Sequence, residues 1–189
     1  MTATTQTGMT VLAIAGSLRS ASINVAFCKA AIQLAPSELR IEVFDAIGGL
    51  PLFNPDLENC LPSPVLAFRA AVTGADALLI ASPEYAHGVS GVMKNALDWL
   101  VGDETFDAKP VAVVNTSHRA YHAHDSLLEV LRTMSACLIQ EASITVPMPA
   151  ACKTTDQILG CAGTSAHILQ VLTAIHFHLV NSQPSSGKL

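Results

Sequence analysis

Hydroxyl and cationic side chains are concentrated in one short loop near the start of the chain, GSLRSASIN at residues 16–24. Gly16 permits a sharp turn. Three serines precede a predicted helix: Ser17, Ser20 and Ser22. A helix N-terminus has unpaired N–H groups and a partial positive charge, and Arg19 adds a full charge, so the loop favours a phosphate. The loop matches neither the dinucleotide pattern GxGxxG nor the triphosphate pattern GxxxxGK(S/T), which favours a single terminal phosphate. The alternative is a helix cap, provided by Ser22 or Asn24, that binds no ligand.

A second candidate site lies where a short apolar run stops at SPEYAHGVSG, residues 82–91. Pro83 imposes extended geometry on the residue before it, and Gly88 and Gly91 allow close approach of the backbone. Such a turn presents N–H and C=O groups in a row, which suits the hydrogen-bonding edge of a planar heterocycle. Tyr85 is therefore a candidate ligand contact.

The remaining chemistry-bearing residues do not form a recognisable catalytic motif. Three histidines follow the fourth predicted strand: His118, His122 and His124. The sequence has no HExxH or CxxC pattern to support a metal site, so no metal ligand is predicted. GVSGV is not the GxSxG nucleophile elbow. With no catalytic side chain assigned, the sequence is typical of proteins in which a bound cofactor carries the reaction.

Alternating strands and helices must position these loops. The predicted strands are 11–15, 39–44, 77–82, 111–115 and 142–146. The predicted helices are 24–35, 64–73, 89–101, about 126–137, and 164–178. The first, third and fourth strands are almost purely apolar, which indicates burial on both faces of a parallel sheet, whereas the second alternates and indicates an edge. This order predicts a doubly wound α/β fold with ligands at the carboxyl ends of its strands. Trp99, inside a predicted helix, is expected to pack rather than to contact ligand.

Length and composition predict one domain over residues 1–180, since 189 residues with 50% hydrophobic content can bury one sizeable core. The polar stretch 181–189 is predicted to be disordered. The Gly- and Pro-rich segment 45–64 is predicted to be a surface flap or a subunit contact rather than a domain linker.

Net charge, hydropathy and cysteine number limit the expected partners, cellular location and disulfide content. A net charge of −5 without any Lys/Arg-rich run predicts no nucleic-acid partner and no anionic-membrane partner. No apolar segment reaches the roughly 20 residues that span a bilayer, and MTATTQTGMT has no secretion pattern, so a cytoplasmic protein is expected. Five scattered cysteines without a CxxC pair predict free thiols rather than a disulfide framework.

The two motifs GSLRSASIN and SPEYAHGVSGVMKNALDWL together resemble the NADPH-dependent FMN reductase family, which includes quinone, chromate and azo-dye reductases. The resemblance implies a flavodoxin-like, doubly wound, five-stranded parallel sheet with strand order 2-1-3-4-5. It implies that the FMN phosphate is held by Ser17, Arg19, Ser20, Ser22 and Asn24. It implies that the isoalloxazine ring is wrapped by Pro83, Glu84, Tyr85, Ala86, His87 and Gly88.

The chain departs from the family pattern after the fourth predicted strand. The family usually has a glycine-rich loop beside the flavin ring at this point, whereas this chain has NTSHRAYHAHD, which contains no glycine. Two interpretations follow. Either Ser117 and bulkier neighbours make the third flavin contact, or flavin affinity is weak.

The resemblance implies an FMN-dependent oxidoreductase. NADPH or NADH would reduce bound FMN, and a quinone, azo compound, free flavin or metal oxyanion would accept the electrons in the same pocket. Arg19 and Arg119 are candidates for holding the nicotinamide phosphate. Family members form dimers or dimer-based tetramers, so a homodimer or homotetramer is expected. The alternatives are a flavodoxin-like binding or electron-carrier protein, which the modest acidic charge weakly disfavours, and a flavin-free family member.

Overall fold

A computed structural model describes residues 8–182, and five parallel strands form its central sheet. In chain order they are β1 (Met9–Ala15), β2 (Leu39–Val43), β3 (Ala77–Ala81), β6 (Pro110–Val114) and β7 (Cys137–Leu138). The intervening β4 (Glu84–Tyr85) and β5 (Gly88–Val89) form a separate antiparallel hairpin. The sheet order is β2-β1-β3-β6-β7, which confirms the predicted order 2-1-3-4-5 when the hairpin strands are set aside.

Burial of the strands follows their hydrophobic patterns. Every residue of β3 is fully buried between two helical layers, as a continuous apolar run predicts for a central parallel strand. Residues of β2 alternate between buried and exposed until Glu42, and β2 lies at the edge of the sheet. Both predictions are confirmed, and the parallel pairing of β1 with β3 and of β3 with β6 brings the carboxyl ends of these strands to one edge of the sheet.

Within residues 8–182, six α-helices cover the two faces of the sheet. They are α1 (Ile23–Leu34), α2 (Ser63–Gly74), α3 (Gly91–Asp98), α4 (Tyr121–Thr133), α5 (Thr155–Leu159) and α6 (Ala162–Ser182). On one face α1, α5 and α6 bury a core that includes Phe27 and Leu172. On the other face α2, α3 and α4 bury a core that includes Phe68, Leu97 and Leu127. In the part of the chain that the structure describes, no helix combines the length and apolar character needed to cross a membrane.

The prediction of the fifth strand was wrong in its bounds. Helix α4 ends at Thr133 instead of continuing to 137, because Ser135 adopts a left-handed conformation with φ of 61° and turns the chain into β7. Within the predicted strand 142–146, only Thr145 forms an isolated bridge, opposite Asn115. The Ser143 hydroxyl accepts the Val113 N–H at 3.1 Å, so at Val113 a side chain takes the place of a strand backbone as the partner of β6.

The C-terminal part of the chain contains two helical features that the sequence patterns did not predict. Helix α5 lies between the predicted strand 142–146 and the predicted helix 164–178, where no element was predicted, and a reciprocal capping box between Thr154 and Gln157 stabilises its start. Helix α6 continues through Ser182, so the first two residues of the predicted disordered tail are helical. Residues 183–189 lie outside the described residues.

The segment between β2 and α2 is attached to the body of the protein. Ile47 and Leu50 are buried in the core. The Pro51 carbonyl accepts hydrogen bonds from the Trp99 indole N–H at 2.8 Å and the Asn95 amide at 3.0 Å. This segment therefore packs on α3 and is anchored at its centre, and its predicted role as a subunit contact stays a prediction.

Candidate functional site

The candidate site is a cleft of about 390 Å³ at the carboxyl ends of β1, β3 and β6. Such edges are where open α/β sheets bind ligands. The predicted site residues that line it are Ser17, Arg19, Ser22, Asn24, Pro83, Glu84, Tyr85 and Ser117. Six residues outside the predicted FMN contacts also line it: Ile23, Ser82, Asn115, Thr116, Arg119 and Ala120. The fold thus brings three separate loops to one cavity.

The loop after β1 is held by its own side chains. The Ser22 hydroxyl caps α1 by accepting the Val25 N–H at 3.4 Å, and the buried Ser17 hydroxyl accepts the Arg19 N–H at 3.4 Å. Asn24 is buried, and its side-chain amide oxygen, Oδ1, accepts a hydrogen bond from the Thr116 hydroxyl at 2.8 Å. This contact leaves the Asn24 NH₂ group as a donor for the cleft that Asn24 lines.

Gly16 is required by close packing at the base of the cleft. A Cβ atom at Gly16 would lie 2.4 Å from the Ser82 hydroxyl oxygen and 3.0 Å from that of Ser90. The absence of a side chain therefore lets the end of β1 approach the segments on either side of the hairpin. Close approach, rather than the sharp turn predicted from sequence, explains glycine at this position.

The Pro-Glu-Tyr segment continues into the β4–β5 hairpin. Ala86 and His87 occupy its tip with φ of 49° and 58°, the left-handed conformation that a type I′ hairpin turn requires at both central residues. Non-glycine residues adopt this conformation at a cost of order 1–3 kcal/mol each. Ala86, His87 and Gly88, like Ser20 in the first loop, lie outside the lining of the cleft. Ser20 instead lines a neighbouring hollow together with Ser17 and Arg19.

Contacts with α4 hold the hairpin in place. The Glu84 carboxylate accepts the Ala123 N–H at 2.9 Å, within the first turn of α4, where Ala120 at the cap position provides no side-chain cap. The His87 ring stacks on His122 with centroids 4.3 Å apart, and His122 in turn contacts Tyr121 at 4.0 Å. Glu84 thus acts as a long-range helix cap, with its negative charge at the positive end of the helix dipole.

We expect Glu84→Ala to lower the free energy of unfolding by about 0.5–2 kcal/mol, the usual cost of removing a helix cap. Urea denaturation at neutral pH measures the change. Glu129→Ala is the matched control, because Glu129 is an exposed glutamate on the same helix whose ion pair with Arg132 spans 3.6 Å. An equal loss of stability in the two variants would contradict the capping role of Glu84.

The glycine-free loop after β6 is folded by Asn115. Its side-chain oxygen accepts the Ser117 N–H at 2.9 Å, and its NH₂ group donates to the Ala120 carbonyl at 3.3 Å. These bonds bring Thr116, Ser117 and Arg119 to the cleft. Position at the carboxyl end of the fourth predicted strand was the sequence signal that could have identified Asn115 and Thr116.

The charges around the cleft favour an anionic ligand. Arg19 and Arg119 are exposed and line the cleft from two different loops. Glu84 is the acidic residue of the lining, and its carboxylate accepts the Ala123 N–H in the first turn of α4. A neighbouring hollow of about 400 Å³ shares Arg19 and Tyr85 with the cleft and is otherwise lined by Gly16, Leu18, Ser90, Gly91 and Val92. A polar cationic end and an adjoining, less polar hollow fit a phosphorylated ligand with a flat ring.

His124 gives α4 a pH-dependent contribution to stability. Burial lowers the pKa of His124 from its ordinary value of 6.5, and the nearby Asp125 carboxylate partly offsets this effect. The unfolded chain takes up this proton as the pH falls below 6.5, whereas the folded protein resists it, so stability is full above pH 6.5 and declines below it. We expect His124→Gln to lose less stability than the parent protein between pH 7.5 and 5.5, as measured by urea denaturation at both values. Parallel decreases in the two proteins would contradict this account.

The histidines of this region do not assemble a metal centre. Among residues 8–182, no three side chains of the His, Cys, Asp or Glu type lie together in a group that could hold a metal ion. His87 and His122 instead form part of the aromatic stack that joins the hairpin to α4.

The sheet order, with a cleft at the carboxyl edge of the sheet, defines a flavodoxin-like α/β protein. Residues 9–151 match the family model described as NADPH-dependent FMN reductase, and the chain belongs to this family. It is thus an oxidoreductase of the NADPH-dependent FMN reductase type.

Two relatives illustrate the similarity in sequence. The chain is 41% identical over 128 residues to NAD(P)H-dependent FMN reductase PA1204 of Pseudomonas aeruginosa, covering 62% of this chain and 69% of that protein. It is 40% identical over 110 residues to a 2-hydroxy-1,4-benzoquinone reductase of a Burkholderia species, covering 57% of this chain and 60% of that protein.

Solved structures show the same fold. FerB, a flavoenzyme NAD(P)H:acceptor oxidoreductase of Paracoccus denitrificans, superposes with a TM-score of 0.71 at 28% identity, covering 90% of this chain and 98% of FerB. A WrbA-like flavodoxin protein of Agrobacterium tumefaciens superposes with a TM-score of 0.54 at 15% identity, covering 90% of this chain and 99% of that protein, and supports the flavodoxin-like fold alone.

Proposed function

We propose that this protein binds FMN and transfers electrons from NADPH or NADH to small aromatic acceptors, with quinones as the principal class. The observation that carries the proposal is the junction of a cationic, hydroxyl-rich loop at the start of α1 with the Pro-Glu-Tyr hairpin in one continuous cleft. The quinone and FMN reductases among its relatives support the same chemistry.

The phosphate end of the cofactor would be held by the loop after β1. The α1 N-terminus supplies backbone N–H groups, Arg19 supplies charge, and the Ser17, Ser22 and Asn24 side chains supply polar contacts. The Ser17 hydroxyl accepts the Arg19 backbone N–H, and the Asn24 side-chain oxygen accepts the Thr116 hydroxyl. These bonds hold the Ser17 and Asn24 side chains before binding, which reduces the entropy lost on association. This arrangement favours a terminal phosphate over an uncharged ligand end.

The ring end would lie along the hairpin. Pro83, Glu84 and Tyr85 line the cleft, and the backbone of this segment supplies donors and acceptors for a heterocycle edge. Ser117 and the loop held by Asn115 also border the cleft. Bound FMN would supply the hydride transfer, while the protein supplies binding, orientation and electrostatics.

Exposed side chains of the cleft would determine which electron acceptors and nicotinamide nucleotides bind next to the cofactor. Tyr85 is 51% exposed and lies where the cleft meets the neighbouring hollow, so an aromatic acceptor could stack on it. Arg119, which also lines the cleft, would hold the phosphate of the nicotinamide nucleotide, and Arg19 would hold the cofactor phosphate. Ser20, Ala86, His87 and Gly88 remain proposed cofactor contacts, although they lie outside the cleft lining. The cytoplasmic location and the homodimeric or homotetrameric assembly also remain predictions.

A turnover assay tests the proposal. Protein saturated with FMN and then desalted is mixed with NADPH and a benzoquinone, and the loss of NADPH absorbance is followed beside a flavin-free control. We expect quinone-dependent turnover that requires FMN. Retained FMN without turnover would instead favour an electron carrier, and failure to retain FMN would favour a flavin-free protein; either result would overturn the proposal.

A further inference from the structure

Two buried polar side chains from different loops meet in the lining of the cleft. Asn24, in the first turn of α1, is 3% exposed, and Thr116, two residues after the end of β6, is 6% exposed. Both residues line the cleft, and the Thr116 hydroxyl donates to Asn24 Oδ1 at 2.8 Å. The loop after β6 therefore holds a side chain that belongs to the start of α1.

The NH₂ group of Asn24 is left for a ligand. Within residues 8–182, Asn24 Nδ2 donates to no protein group, although the residue is almost completely buried. In the same range, the fully buried side-chain nitrogen and oxygen atoms without a hydrogen bond belong to Arg69 and Asp103, so Asn24 Nδ2 is not sealed inside the protein. Because Asn24 lines the cleft, its unpaired donor is accessible from there. A buried amide with a free donor of this kind indicates a ligand that carries an acceptor atom.

The orientation of the Asn24 amide decides which ligand group it favours. With Oδ1 bonded to Thr116, the amide offers N–H donors to the cleft, and the α1 N-terminus and Arg19 add positive charge beside it. An amide turned by 180° would instead present its oxygen, which repels an anion. The bond from Thr116 thus selects the orientation that suits a phosphate.

The Thr116 hydroxyl is a fixed donor because the residue before it is fully bonded. The Asn115 N–H donates to the Ile144 carbonyl at 3.0 Å, and the Asn115 carbonyl accepts the Val146 N–H at 2.9 Å. The Asn115 side chain uses both its oxygen and its NH₂ group to fold the loop that follows. The backbone at the start of this loop is therefore held on the sheet, and Thr116 is held with it.

We propose that Thr116 is a positioning residue that makes the cleft selective for a phosphorylated flavin, by fixing the Asn24 amide with its NH₂ group towards the phosphate. Thr116 acts through Asn24, since its hydroxyl proton is used in the bond to Oδ1. The inference rests on the proposed function, because it takes the phosphate to lie beside α1. It gives the glycine-free loop after β6 a role at the phosphate end of the cleft, whereas the family resemblance assigns that loop to the flavin ring.

Quenching of flavin fluorescence by the full chain, with FMN and with riboflavin, tests the proposal. Thr116→Val keeps nearly the same volume but removes the hydroxyl, so the Asn24 amide loses the donor that orients it. We expect the affinity for FMN to fall about 3- to 10-fold and that for riboflavin to change little. Thr116→Ser keeps the hydroxyl and should keep the preference for FMN. Thr173→Val, at an exposed threonine of α6 outside the cleft lining, should match the parent protein with both flavins.

A double variant separates positioning from direct contact. Because Thr116 acts through Asn24, adding Thr116→Val to Asn24→Ala should lower the affinity for FMN no further. A further loss in the double variant would overturn the proposal, as would an unchanged ratio of FMN to riboflavin affinity in Thr116→Val, whether both affinities stay the same or fall equally. Failure of the proposed function would differ, because the parent protein itself would then bind no FMN or bind it no better than riboflavin, and the inference would fail with it.

Discussion

Replacing Trp99 by alanine is expected to lower the free energy of unfolding by about 3–5 kcal/mol, the range for deleting a large buried aromatic side chain. Trp99 is fully buried, and its ring meets Phe53 edge-on with centroids 5.0 Å apart. Its indole N–H also donates to the Pro51 carbonyl at 2.8 Å. The substitution therefore opens a cavity under α3 and releases the segment that follows β2. Urea denaturation, followed by circular dichroism, measures the loss.

Two variants divide this effect into its parts. Trp99→Phe keeps most of the ring volume but removes the donor to Pro51, so it should cost less than the alanine variant and more than a surface change. Val101→Ala, two residues further along, is the control because Val101 is 67% exposed, and a change within about 0.5 kcal/mol is expected. A Trp99→Ala variant as stable as Val101→Ala would contradict the assigned burial.

Replacing Arg19 by glutamine is expected to weaken FMN binding by about 10- to 150-fold, which corresponds to the roughly 1.5–3 kcal/mol of a hydrogen bond to a charged group. Arg19 lines the cleft beside the α1 N-terminus, where the proposed phosphate site lies. Riboflavin lacks the phosphate, so its affinity should change little. Quenching of flavin fluorescence gives both dissociation constants.

Arg40→Gln is the matched control for the cofactor measurement. Arg40 is an exposed arginine on β2 whose partners are Glu42 and Thr10, away from the cleft. It should bind FMN as the parent protein does. Equal weakening of FMN and riboflavin binding by Arg19→Gln would contradict a phosphate contact and indicate a general disturbance of the loop.

The first four strands of the sheet could be predicted because the pattern of apolar residues within each strand indicates how that strand is buried. The runs at β1, β3 and β6 are apolar on both faces, and the alternation in β2 marks an edge, so each strand carries its own burial pattern. The fifth strand could not be placed, since 142–146 is as β-rich as the others. Its position depends on the hydrogen bond to the Ser143 side chain and on the left-handed backbone of Ser135. Neither feature leaves a mark in the spacing of apolar residues, so the sequence pattern could not predict it.

The candidate site was predictable where motifs are contiguous and unpredictable where contacts are long-range. The loop after β1 and the Pro-Glu-Tyr segment each form a short stretch of sequence, and most of their predicted residues reach the cleft. The cap from Glu84 to Ala123 and the stacking of His87 on His122 join residues far apart in the chain. Only the packing of the hairpin on α4 brings these partners together, so His122 acquires a supporting position that its sequence context does not indicate.

Visible absorption of the purified protein, recorded after incubation with FMN or riboflavin and desalting, tests the central claim most directly. The account predicts that flavin bands persist after FMN and disappear after riboflavin, because the α1 N-terminus and Arg19 hold the phosphate that distinguishes the two. Loss of the bands in both samples would contradict FMN binding at this cleft. Equal retention of the two flavins would contradict the phosphate site on which the proposed function depends.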